Sequence, residues 1–222
     1  MKAVIFDLDH TLFDRYATMT RCIPALFDLW DFAVSEEKAT AMLIFADRNF
    51  THKGWELMHE YLISEGMFRT PPTYDEFREG LFSVFRKTAV PFYFAIPTLA
   101  RLREMGYKIG LITNGRSEVQ RDKLKMLGLT NEFDEIIISG EFGVGKPSTE
   151  PFFEMSRRLG IPCNEMYYVG DNPKNDVDPA RKAGFVPIWV NTTHTWIFPE
   201  IEKPELIVDD ISELQTLIPE AD

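Results

Sequence analysis

Ala3-Val4-Ile5-Phe6-Asp7-Leu8-Asp9-His10-Thr11-Leu12 is the stretch on which the reading of this chain turns. Its first four residues are apolar without alternation, and the run stops at an acid. Such a run suits a strand buried on both faces of a parallel sheet. The same signal recurs at 107–112, 136–138, 166–169 and 186–190, and more weakly at 206–208. Helix-like segments lie between these runs, at 99–105, 118–127, 152–159 and 177–183. Each ends in a glycine followed by an apolar residue: Gly106-Tyr107, Gly128-Leu129, Gly160-Ile161 and Gly184-Phe185. A left-handed glycine closes a helix, and the next apolar residue packs back on the last turn. Ser117 and Gln120 have capping-box spacing at one helix start. The repetition of strand, loop, helix and glycine predicts an α/β domain with a doubly wound, mainly parallel, Rossmann-like sheet.

Residues 15–88 break that rhythm. They carry no convincing buried strand but many large apolar residues among charges, such as Phe27, Trp30, Trp55 and Tyr61. The expected organisation is a catalytic core of 1–14 and 89–222, with a small all-helical cap domain at 15–88 inserted after the first strand.

Composition narrows the function classes. The chain has 222 residues, 45% of them apolar, and a net charge of −11 from 24 basic and 35 acidic residues. That balance predicts no nucleic-acid partner, because neutralising a phosphate backbone needs a basic surface. It also predicts no adsorption to an anionic membrane. No apolar stretch approaches the length of a membrane span or a signal peptide. Cys22 and Cys163 are too few for a disulfide framework. A soluble, cytoplasmic protein is expected.

The chemistry-bearing residues fall where runs end. Asp7 and Asp9 follow the first run, Thr113-Asn114-Gly115 the second. Lys146-Pro147 lies in the loop after the third, and Gly170-Asp171-Asn172 follows the fourth, with Asp176 at the next helix start. Ligands of open parallel sheets bind beyond the carboxyl ends of the strands. Carboxylates, a hydroxyl and an ammonium gathered there form an inventory for binding a divalent cation together with a phosphate.

These motifs, in this order, resemble the haloacid dehalogenase-like hydrolase superfamily, in its phosphatase branch with a helical cap. The resemblance covers the whole chain. It implies a phosphomonoesterase using magnesium (Mg2+) on a small phosphorylated metabolite. It implies Asp7 as nucleophile, Asp9 as general acid and base, and Thr113, Asn114 and Lys146 as phosphate ligands. It implies Asp7, Asp171, Asp176 and the backbone carbonyl of Asp9 around the metal, and a cap that closes over the substrate. A sugar-phosphate mutase would share all of these core residues. Haloacid dehalogenation is disfavoured because those relatives lack an acid two residues after the nucleophile. A non-catalytic phosphate-binding protein has no need to keep Asp7, Asp9, Lys146 and Asp171 together.

Other signals read as architecture. Gly140 to Pro147 nearly spells a nucleotide-binding P-loop, but Pro147 stands where that motif needs a hydroxyl. His10, His52, His59 and His194 are read as packed or exposed side chains. The cap aromatics are read mainly as core, with Trp30, Phe45 and Phe50 as candidates to close over the substrate, and Asp176 is also read as a helix cap.

Overall fold

A computed structural model describes residues 1–50, 54–192, 196 and 198–221. His52 and His194 lie outside the described residues. In chain order the elements are β1 (Ala3–Phe6), α1 (Arg15–Leu29), β2 (Asp31–Phe32), α2 (Glu36–Phe50), α3 (Trp55–Ser64), β3 (Phe68–Thr70) and α4 (Tyr74–Thr88). Then follow α5 (Ala95–Glu104), β4 (Lys108–Thr113), α6 (Ser117–Met126), β5 (Glu135–Ile138), α7 (Ser139–Phe142) and α8 (Glu150–Leu159). The last are β6 (Met166–Gly170), α9 (Asp178–Lys182), β7 (Val186–Val190), β8 (Leu206–Val208) and α10 (Leu214–Leu217).

The chain divides into two compact units, Met1–Asp14 with Pro91–Asp222, and Arg15–Val90. In the first, six strands form one sheet in the order β5-β4-β1-β6-β7-β8. Every pairing in it is parallel. β1 lies between β4 and β6, so the order runs one way from β1 to β5 and the other way to β8. That reversal makes the carboxyl end of β1 the switch point, where the loops on its two sides part and leave a crevice. All four residues of β1 are fully buried, as a strand covered on both faces requires. On one face Ile5, Ile112 and Tyr168 pack with Phe152, Met155 and Phe185.

The helix ends follow the glycine pattern. Gly106, Gly128, Gly160 and Gly184 all have positive φ. The residue after each donates its N–H five residues back, as Leu129 does to the Leu124 carbonyl at 2.8 Å. The helix starts depart from expectation. Ser117 and Gln120 form no capping box: α6 has no side-chain cap, and Gln120 turns inward instead. The helix expected at 177–183 is preceded by a π-helical turn, Pro173–Val177. Its cap is Asn172, whose side-chain oxygen accepts from the Lys174 and Asn175 N–H groups at 3.0 Å each. Asp176 lies inside that turn, so it is not the cap. The wider turn leaves its carboxylate directed at the loops.

The second unit is helical, with an apolar core that includes Met19, Leu26, Leu43, Met58, Leu62 and Phe77. α4 starts with a full capping box between Thr73 and Glu76. One feature lay below the sequence signal: β2 and β3 pair as a short antiparallel ribbon. Strands of two and three residues are too short to show alternation. The ribbon is held by the Phe32 and Phe68 rings, 5.3 Å apart, and by an Arg69–Asp31 ion pair at 3.1 Å. His59 is a packed core histidine, with Nε2 2.8 Å from the Pro72 carbonyl.

Candidate active site

Asp7 is the first residue beyond β1, and its N–H still donates to the Val169 carbonyl at 2.9 Å. The chain then reverses. The N–H groups of Thr11, Leu12 and Phe13 all converge on the Leu8 carbonyl, and His10 takes φ 63. A histidine in the left-handed region is uncommon, and here it belongs to the tight turn that follows Asp9.

Three other strand ends bring polar groups to this turn. Lys146, in the loop after α7, donates from Nζ to Asp7 Oδ1 at 2.6 Å, Asp176 Oδ1 at 2.7 Å and Tyr168 Oη at 2.8 Å. An ammonium has three donors, and these contacts use all of them. Asp171 follows β6, and Asp176 comes from the π-helical turn. Asp7, Asp171 and Asp176 are all buried, and each offers a carboxylate oxygen within 4.8 Å of the others'. Gly170 makes this approach possible: a Cβ there would lie 2.5 Å from Asp176 Cγ.

The electrostatics of the cluster are lopsided. Among these four groups, one ammonium faces three carboxylates. Burial pushes the Asp7 carboxyl well above its usual range; Lys146 opposes this, while Asp176, Asp171 and Asp9 add to it. Asp176 is raised too, by burial against the pull of Lys146. Burial pulls the Lys146 ammonium down, but Asp176, Asp7 and Tyr168 outweigh it, and its pKa ends well above the ordinary value. Buried carboxylates held this close are costly unless a cation joins them. Three hard oxygen donors on one point fit magnesium, which takes few carboxylates and keeps several waters.

A second constellation lies on Asp9. Lys123 Nζ reaches both carboxylate oxygens of Asp9 at 2.8 Å. Gln120 Nε2 reaches Asp9 Oδ2 at 3.2 Å and Thr113 Oγ1 at 2.6 Å. Asn114 is engaged elsewhere. Its amide donates to the Lys146 carbonyl at 2.7 Å and accepts from the Lys146 N–H at 2.9 Å, clasping the lysine's backbone. A Cβ on Gly145 would lie 2.6 Å from Asn114 Oδ1, so the clasp requires glycine there.

The structure therefore joins Asp7, Lys146, Asp171 and Asp176 directly, and Asp9 with Thr113 through Gln120. Sequence reasoning missed Gln120, Lys123 and Tyr168. The signal for the first two was present: they share the buried face of α6 with Val119 and Leu124. Tyr168, within a fully buried strand, had to find a partner for its hydroxyl.

Residues 4–190 match the family model described as haloacid dehalogenase-like hydrolase. The chain belongs to this family. Among relatives of this hydrolase, glyceraldehyde 3-phosphate phosphatase of Methanothermobacter thermautotrophicus is 32% identical over 98% of the chain and 100% of the relative. Glyceraldehyde 3-phosphate phosphatase of Methanopyrus kandleri is 38% identical over 56% of the chain and 58% of the relative. Phosphoserine phosphatase of Thermus thermophilus is 40% identical over 52% of the chain and 46% of the relative. In these last two matches the chain spans about half the relative's length. The fold is shared with YfnB of Bacillus subtilis, solved bound to magnesium, at a TM-score of 0.81 and 20% identity over 97% of both chains. It is shared also with a HAD phosphatase from Thermococcus onnurineus, at 0.68 and 25% identity over 100% of this chain and 99% of that one. Among the described residues, no helix is long and apolar enough to cross a membrane.

Proposed function

We propose that this hydrolase cleaves a small, soluble phosphate monoester by passing the phosphoryl group to Asp7 and then to water. The observation that carries this reading is the convergence of Asp7, Asp171 and Asp176 on one point, with Lys146 against two of them. Carboxylates repel a phosphate dianion, so such a site handles phosphate only with added positive charge. Asp7, Asp171 and Asp176 would hold Mg2+, which when bound neutralises charge on the transferring phosphoryl oxygens.

The chain's own groups divide the rest. In the first step the Asp7 carboxylate oxygen bonds to phosphorus as the bond to the ester oxygen breaks, and Asp9, protonated for this step, gives that oxygen its proton. In the second, water attacks phosphorus, Asp9 takes the water's proton, and the Asp7–phosphorus bond breaks to release inorganic phosphate. Thr113 donates a hydrogen bond to a phosphoryl oxygen. Lys146 exchanges one of its present partners for another phosphoryl oxygen, stabilising charge as it develops. The Asn114 clasp keeps the Lys146 backbone in place while that exchange occurs.

The named relatives support a small substrate, as does phosphoglycolate phosphatase of Salmonella typhi, 26% identical over 96% of the chain and 91% of that relative: glyceraldehyde 3-phosphate, phosphoserine and phosphoglycolate are all compact monoesters. The test is a screen of phosphorylated metabolites that includes these three, with released phosphate as the readout and Mg2+ present. Turnover of at least one monoester is expected, and it should stop when the metal is chelated. No release from any of them with Mg2+ or Mn2+ sinks the reading. So does full activity in excess chelator after metal removal has been verified.

A further inference from the structure

Gln120 belongs to neither the acidic cluster nor any motif that suggested function, yet it is a glutamine only 2% exposed. Its amide nitrogen has two hydrogens and lies against two acceptors, Asp9 Oδ2 at 3.2 Å and Thr113 Oγ1 at 2.6 Å. The orientation of the amide follows from its neighbours. Both oxygens of Asp9 accept from the Lys123 ammonium, so the carboxylate offers Gln120 a lone pair and requires the nitrogen on its side. The remaining hydrogen of the same nitrogen points at Thr113. A hydroxyl that already accepts from an amide N–H is left with its own proton to donate. Gln120 thereby removes the choice that a free threonine rotor would have.

Space enforces this arrangement. A Cβ at Gly115 would lie 3.0 Å from both Cγ and Cδ of Gln120 and 3.2 Å from Oε1, so the side chain packs against the loop that follows Thr113. The neighbouring lysine on α6 completes the frame. Lys123 Nζ sits 4.9 Å over the Phe13 ring while it grips Asp9. Buried lysine and glutamine side chains persist where each donor has an acceptor.

We infer that Gln120 is a positioning residue: it fixes the Thr113 hydroxyl as a hydrogen-bond donor toward the phosphoryl group. This rests on the phosphatase reading, and it adds a residue and a direction to it. Without Gln120 the hydroxyl spends part of its time turned toward the protein, and an acceptor at position 120 holds it there.

The test is a double-mutant cycle with p-nitrophenyl phosphate and Mg2+. Gln120→Met keeps the volume and removes the donor, and should lower kcat/KM by about tenfold. Gln120→Glu is nearly isosteric but accepts from Thr113, and should lower it by about a hundredfold. Thr113→Val removes the hydroxyl. In that background Gln120→Met should cost less than about twofold more, because the partner through which it acts is gone. A second readout is the rise in unfolding temperature on adding orthovanadate with Mg2+. It should shrink in Gln120→Met as in Thr113→Val, and no further in the double variant.

Multiplicative losses in the double variant overturn the inference, as does equal activity of Gln120→Met and wild type. If Gln120→Glu fails to fold, Gln120→Met decides the matter by itself. An inactive wild type, or full activity in Thr113→Val, would instead sink the reading of the site on which the inference stands.

Discussion

Arg15 with Asp47 in the insert, and Lys146 with Asp7, Asp171 and Asp176 in the core, are both buried charge clusters. They are built differently. Arg15 grips Asp47 with Nε 3.0 and 3.1 Å from the two oxygens and Nη2 2.8 Å from Oδ1. The Trp55 and Phe85 rings lie 5.4 and 5.5 Å from its guanidinium carbon. This is a planar fork matched to a carboxylate and faced by aromatic surface, which suits a fixed structural joint. In the core one compact ammonium serves two of three carboxylates that all lie within 4.8 Å of one another. A joint that only held the fold together would gain by losing an acid. Among these four groups acids outnumber the ammonium, and the three carboxylates could hold a divalent cation.

The comparison breaks first, and most severely, at Arg15. Arg15→Met leaves Asp47 buried without its fork and should destabilise the protein by about 3–5 kcal/mol. Asp47→Leu added to it should recover much of that loss. Urea unfolding of the wild type and the two variants measures both effects, and a cost near zero for the single variant would mean the pair is not a joint.

Lys146→Met is expected to lower kcat by about a hundredfold, about 2.7 kcal/mol, with the protein still folded. Steady-state kinetics and circular dichroism check this. A loss below tenfold would make the ammonium a bystander.

Asp171→Asn sharpens the contrast because its two effects have opposite signs. In chelator it should be more stable than wild type by about 1 kcal/mol, since one repelling charge is gone. With Mg2+ it should lack the rise in unfolding temperature expected of the wild type. If Asp171→Asn is instead less stable in chelator, the core cluster is balanced after all, and the difference between the two regions disappears.

The smallest effect concerns the two cysteines, one in each unit. Burial pushes the Cys22 thiol up to about 11, against the pull of its Thr88 contact, while Cys163 is only partly covered. Alkylation of the native protein at pH 8 should label Cys163 several-fold faster, and mass spectrometry of timed samples checks the order.

The sequence carried the core's strand ends well. Asp7, Thr113, Lys146 and Asp171 were legible because each follows a buried run or its loop, and a parallel sheet gathers such ends on one side. Three things were hidden, each for a physical reason. The capping-box spacing assigned Gln120 to the helix start, and a lysine on a helix is read as solvent-facing, which concealed Lys123. The π-helical turn moved the cap to Asn172 and freed Asp176, and no residue type announces a widened turn. The β2–β3 ribbon is shorter than any periodicity can register. Asn114 shows a fourth limit: its place after β4 suggested a phosphate ligand, and nothing in the sequence announces that its amide clasps the Lys146 backbone.

The central claim is that Asp7 takes the phosphoryl group, and rapid-quench mass spectrometry with an aryl phosphate and Mg2+ tests it most directly. Asp9→Asn should release a burst of phenol and accumulate one phosphoryl group on Asp7, because the second step lacks its base while a good leaving group needs no acid. Asp7→Asn should show neither label nor turnover. Label on Asp7→Asn, or label on another residue of Asp9→Asn, would contradict the account.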